Sequence, residues 1–100
     1  MDIDKDNDKT NVSRKSNENW CWVYILKSLK DNRLYIGSTT DLKKRIFEHQ
    51  SGKVFATKNR LPVILLYYEA YIEEWMARKR EKNLKYFGKA YQLLKKRLML

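Results

Sequence analysis

Two short β-type runs, Trp22-Val23-Tyr24-Ile25-Leu26 and Leu34-Tyr35-Ile36-Gly37-Ser38, stand only a turn apart in this chain. The link between them, Ser28-Leu29-Lys30-Asp31-Asn32-Arg33, is polar and holds the turn-forming pair Asp31-Asn32, which suits a hairpin connection. Thr40 or Asp41 can then cap a helix running to about Gln50, and Ser51-Gly52 ends it. On that helix Leu42, Ile46 and His49 recur at i, i+4 and i+7, with Arg45 on the same side.

A polar connection, residues 53–61, leads to Pro62 and the unbroken apolar run Val63-Ile64-Leu65-Leu66-Tyr67-Tyr68. Such a run reads as a strand buried on both faces, at the sheet centre. Residues 72–87 are helical in pattern, with Trp75, Met76, Leu84 and Phe87 as apolar anchors. Gly88 breaks that helix, and residues 89–98 form a last amphipathic helix through Leu93, Leu94 and Leu98. The element order is ββαβαα.

Residues 1–19 contain Met1, Ile3 and Val12 as their apolar side chains and are rich in Asp, Asn, Lys and Ser. Too little apolar surface is present to offset ordering entropy, so a disordered tail is expected there and one domain over residues 20–100. The start lacks an apolar stretch and does not read as a secretory signal.

Charge separates along the same boundary. The chain is formally +10, yet residues 1–19 are net −1, so residues 20–100 hold 18 basic and 7 acidic side chains. That density favours a polyanionic partner, nucleic acid before an acidic membrane. No segment approaches the roughly 20 apolar residues of a membrane span. Cys21 is the single cysteine, which excludes an intrachain disulfide and a Cys-rich zinc site and fits a reducing, cytoplasmic setting. His49 is the single histidine, so a multi-histidine metal site is excluded as well.

Four side chains remain that could act on a phosphodiester beside one metal-binding carboxylate. A phenol such as Tyr24 or Tyr35 becomes a base once a nearby cation lowers its pKa from about 10. Taken singly, each is also an ordinary strand aromatic. Arg45 can hold two phosphoryl oxygens and offset charge that grows in the transition state. His49, one turn later, can carry a proton near neutral pH. Glu81 shares a helical stripe with Ala77 and Leu84, so its carboxylate points into the domain. There it either pairs with Arg80 or Lys85 or holds a hard cation such as Mg²⁺. Glu69 is a second inward carboxylate. Lys53, Lys58, Arg60, Arg78 and Lys85, together with Ser38, are candidates for contacts to nucleic acid.

Taken together these residues resemble the GIY-YIG endonuclease family, in particular its short standalone bacterial members related to the nuclease domain of the excision-repair incision subunit. The likeness covers residues 20–98. Tyr24 falls on the tyrosine of the first motif, and Tyr35-Ile36-Gly37 reproduces the second. Arg45 falls on the family's helix arginine, His49 on the His or Tyr one turn later, and Glu81 on the metal-binding glutamate. The first motif lacks its glycine and isoleucine, Ser38 stands where some relatives place lysine, and no Asn follows Asn83.

The resemblance implies a small α/β sandwich with a three-stranded antiparallel sheet flanked by helices. It implies hydrolysis of DNA with Mg²⁺ or Mn²⁺ on Glu81, and a setting in repair or recombination. Tyr24 or Tyr35 would activate water, Arg45 would stabilise the transition state, and His49 would assist proton transfer. Specificity would come from a protein partner or from the domain's own surface. The alternative is a nucleic-acid-binding module that keeps the fold and the basic face without turnover.

Overall fold

The computed structural model describes residues 20–100; the expected tail, residues 1–19, lies outside the described residues. Strands β1 (Cys21–Ser28) and β2 (Leu34–Thr39) form the expected hairpin. Helix α1 (Leu42–Gln50) follows, then a short 3-10 turn (Lys58–Arg60) and strand β3 (Val63–Tyr71). Helices α2 (Glu74–Tyr86) and α3 (Gly88–Arg97) complete the chain. The expected order ββαβαα and the three-stranded antiparallel sheet are both present.

The hairpin is held by its own side chains. Ser28 Oγ accepts from the Lys30 and Asp31 amides, and Asp31 Oδ1 accepts from the Arg33 amide at 2.9 Å. Asn32 takes φ 61°, the left-handed region that Asn tolerates better than most residues. Asp41, as expected, caps α1 by accepting from the Lys44 amide at 3.1 Å.

Strand order is β2-β1-β3, so β1 is the centre and β3 an edge. This corrects the reading of 63–68 as the central strand. The cause is a bulge. Ile25 faces Tyr67 while Leu26 faces Leu65, which leaves Leu66 as an extra residue on β3. Val63 and Leu65 then pack toward α1, whereas Leu66 and its neighbour Tyr67 both pack toward α2 and α3. The unbroken apolar run therefore reflects a broken alternation rather than burial on two sides. Tyr68 is 52% exposed.

Each face of β1 has its own core. Cys21, Val23 and Ile25 pack with Ala77, Leu84 and Leu94 from the two C-terminal helices. Tyr24 and Leu26 pack with Val63, Tyr35, Leu42 and Ile46 on the α1 side. Burying each large aliphatic side chain contributes about 1.5–3 kcal/mol. The expected inward stripe Ala77-Glu81-Leu84 is correct. The expected anchor Trp75 is not: it precedes Ala77 by two residues, about 200° around the helix, and is 62% exposed. Phe87 and Leu93 are likewise exposed, and the break between α2 and α3 falls at Phe87, with Gly88 opening α3.

Candidate active site

Tyr24 begins the site. Its ring crosses the neighbouring strand over Gly37, its direct partner in the β1–β2 register. A Cβ on Gly37 would stand 2.5 Å from the Tyr24 hydroxyl and 2.7 Å from Cζ. The glycine of Tyr35-Ile36-Gly37 is therefore a passage for the phenol of the opposite strand.

Beyond that passage the hydroxyl meets α1. Tyr24 Oη lies 2.8 Å from His49 Nε2, and His49 Nδ1 lies 2.8 Å from Thr57 Oγ1. The Arg45 guanidinium stands close enough to the phenol to pull its pKa down. In the arrangement where the Tyr24 hydroxyl donates to Nε2, Nδ1 carries the ring hydrogen and donates to Thr57. His49 and Thr57 are fully buried and Tyr24 is 1% exposed. Tyr35 packs its ring 5.1 Å from the His49 ring, and 6.3 Å from that of Tyr24.

Burial governs the protonation of this chain. It pushes the Tyr24 pKa up to about 12, against the opposing pull of Arg45. It pushes His49 down to about 4, reinforced by the Arg45 charge and opposed by Glu48. At neutral pH the phenol is protonated and the imidazole neutral, so Nε2 is free to accept. Arg45 itself is braced by Glu48 Oε1 at 3.1 Å.

Glu81 arrives from α2 at the β2 edge. Ser38 Oγ donates to its Oε1 at 2.5 Å, and Lys85 Nζ donates to its Oε2 at 2.7 Å. Its charge raises the Tyr24 pKa, which places the carboxylate within electrostatic reach of the phenol. Lys85 Nζ also lies 5.9 Å above the Tyr35 ring. Tyr24, Tyr35, Arg45, His49 and Glu81 thus come together from two strands and two helices. Among the described residues no group of three or more His, Cys, Asp or Glu stands together as a metal site.

The remaining expected residues divide. Ser38 is turned onto Glu81, and Arg60 onto Asp31, with Nε 3.5 Å from Oδ2. Lys53 and Lys58 lie over the exposed rings of Phe47 and Phe55. Arg78 lines a cleft of about 400 Å³ with Thr39, Thr40 and Lys44. That cleft shares Ser38 and Arg45 with the site but not Tyr24, His49 or Glu81, so it continues the site rather than containing it. Glu69 is not available as a metal ligand. Arg80 grips both its oxygens at 2.9 and 3.0 Å, and Tyr67 and Tyr71 donate one bond to each. Burial raises the Glu69 pKa, but these donors outweigh it and hold the carboxyl below its usual range.

A family model described as the GIY-YIG catalytic domain matches residues 20–95. The chain belongs to the GIY-YIG family. Among its relatives, a UPF0213 protein of Staphylococcus haemolyticus is 42% identical over 73 residues, 72% of this chain and 88% of that protein. UPF0213 proteins of Streptococcus pyogenes serotypes M3 and M1 are each 51% identical over 51 residues, 50% of this chain and 54% of theirs. No solved structure matches the chain significantly. Membership in the GIY-YIG family makes this a domain of nuclease kind. No described helix is long and apolar enough to cross a membrane.

Thr57 is the site residue that sequence reasoning missed. It sits in the polar connection, eight residues beyond His49, with no periodic pattern to mark it. Gly37 was legible as part of a motif, but its role as a passage for Tyr24 needed the register.

Proposed function

We propose that this domain is an endonuclease that hydrolyses DNA phosphodiester bonds and depends on Mg²⁺ or Mn²⁺. One observation carries the reading: the hydrogen-bonded path Tyr24–His49–Thr57 begins at a phenol that feels the charges of both Arg45 and Glu81. A proton path, a phosphate-binding cation and a hard oxygen donor meet at one spot.

In this reading the oxygen of a water attacks phosphorus. Its proton passes to the Tyr24 oxygen while Tyr24 gives its own hydrogen to His49 Nε2, and the bond from phosphorus to the leaving oxygen breaks. A phenol with a pKa of about 12 is not a standing base at neutral pH, so the two transfers are concerted. Arg45 offsets the charge that builds on the phosphoryl oxygens. A divalent ion on Glu81, when bound, would supply Lewis-acid stabilisation of the phosphate and the leaving oxygen. The donor set fits it: Mg²⁺ is commonly held by one or two carboxylates, with waters and substrate phosphates completing its shell. Lys53, Lys58, Arg78 and Lys85 supply contacts to the DNA backbone, and specificity comes from the domain's own surface or from a protein partner.

One observation favours a second reading, a nucleic-acid-binding module without turnover: both oxygens of Glu81 are engaged by Ser38 and Lys85. Cleavage of a panel of linear, flapped and branched DNAs with Mg²⁺, Mn²⁺ or EDTA separates the two. Metal-dependent products that vanish in Glu81→Ala support the nuclease. Salt-sensitive binding with no products under any condition supports the module.

A further inference from the structure

The two donors on Glu81 are of different kinds. Ser38 is a neutral donor fixed on a strand, and it holds Oε1. Lys85 is a cation on a flexible stem, one helical turn beyond Glu81, and it holds Oε2. Its side chain is 34% exposed, so it has room to swing out. The neighbouring guanidinium groups are committed elsewhere, Arg45 to Glu48 and Arg80 to Glu69. Lys85 is thus the charged group on this carboxylate that is built to leave.

We propose that Lys85 is a displaceable counter-ion of Glu81, a positioning residue that moves from the carboxylate to a backbone phosphate and thereby couples metal loading to DNA binding. The proposal rests on the reading of Glu81 as the metal ligand. An oxygen that holds an ammonium at 2.7 Å cannot hold a divalent cation in the same direction, because the two positive charges would overlap. Leaving Glu81 for water costs Lys85 its ionic partner. Leaving it for a phosphate exchanges one charge-assisted hydrogen bond for another. Without DNA, Lys85 therefore competes with the metal. With DNA it neutralises a phosphate and frees Oε2. Ser38 stays on Oε1 throughout, so the carboxylate keeps its orientation.

The test is a Mn²⁺ titration of the full chain followed by electron paramagnetic resonance. It is made without DNA and with a short DNA duplex, in a Tyr24→Phe background that holds turnover back. Lys85→Met tightens Mn²⁺ binding without DNA by about fivefold, the upper range for release from a part-exposed ion pair. It lowers by the same factor the degree to which DNA tightens Mn²⁺, as linkage requires. Lys85→Arg keeps the charge on Glu81 and does not tighten Mn²⁺ binding without DNA. Lys79→Met removes the same charge from the opposite side of α2 and leaves Mn²⁺ affinity near that of the parent. If Glu81→Gln loses Mn²⁺ but Lys85→Met binds it as the parent does, the counter-ion role is wrong and the metal reading survives. If Glu81→Gln binds Mn²⁺ as well as the parent, the metal reading fails and this proposal with it.

Discussion

The Tyr24 hydroxyl occupies space that a side chain on Gly37 would need, 2.5 Å from the ideal Cβ position. Gly37→Ala forces the phenol to shift, and it cannot do so freely because it is hydrogen-bonded to His49. The expected cost is about 1–3 kcal/mol of stability, the usual range for overpacking. Loss of cleavage should be larger than that destabilisation explains. Thermal denaturation and turnover measured on the same sample check this, and an active Gly37→Ala of parental stability would contradict it.

Removing Thr57's hydroxyl tests the far end of the proton path. Thr57→Val keeps the shape but leaves the buried His49 Nδ1–H without a partner, at a cost of about 1–3 kcal/mol. It also releases the constraint on the tautomer. Nitrogen chemical shifts of His49 should move toward a tautomer mixture, and turnover should fall while DNA affinity holds.

The depressed pKa of His49 sets a pH dependence. Its folded value is about 4, below the ordinary value of about 6.5. Between those values the unfolded chain binds a proton that the folded chain does not. Stability is therefore fully present above the ordinary value and declines as pH falls toward about 4, by an amount on the order of 3 kcal/mol. Denaturant titrations across that window should show the decline, and His49→Gln should flatten it. An unchanged slope in the variant would place the titrating group elsewhere.

Loss of charge donors should separate binding from chemistry. Arg45→Ala should lower turnover by a factor on the order of 10²–10³, the range for losing a preorganised donor to developing charge. Glu81→Ala should abolish turnover and leave DNA affinity equal or slightly tighter, because a negative charge leaves the phosphate path. Tyr24→Phe should be nearly inactive with its fold intact. If these variants cleave like the parent, the activity belongs to another site.

Much of this was legible before any coordinates. Tyr24, Arg45, His49 and Glu81 were readable as a set through their joint resemblance to the GIY-YIG motifs, while helix periodicity showed only that Arg45 and His49 share a face and that Glu81 points inward, with Arg80 or Lys85 as its partner. The errors share a different origin. The apolar run 63–68 reads as a central strand because a bulge at Leu66 imitates two-sided burial. Hydrophobicity alone marks Trp75, Phe87 and Leu93 as anchors, yet helix rotation leaves them outside. Thr57 was invisible because its partner lies across a loop that carries no period.

Ser28 has a reach beyond its hairpin. Besides capping the turn, its hydroxyl donates to the Arg60 carbonyl at 2.6 Å. Lys30 Nζ reaches the Asn59 carbonyl nearby, and the Leu29 amide reaches that of Pro62. The segment that delivers Thr57 to His49 is thus moored, at its C-terminal end, to a turn with no other part in the chemistry. A moored segment has already lost its conformational freedom when the chain folds, so ordering Thr57 does not have to be repeated at each encounter with substrate. The hairpin tip acts as a distant clamp on the hydrogen-bonded chain Tyr24–His49–Thr57.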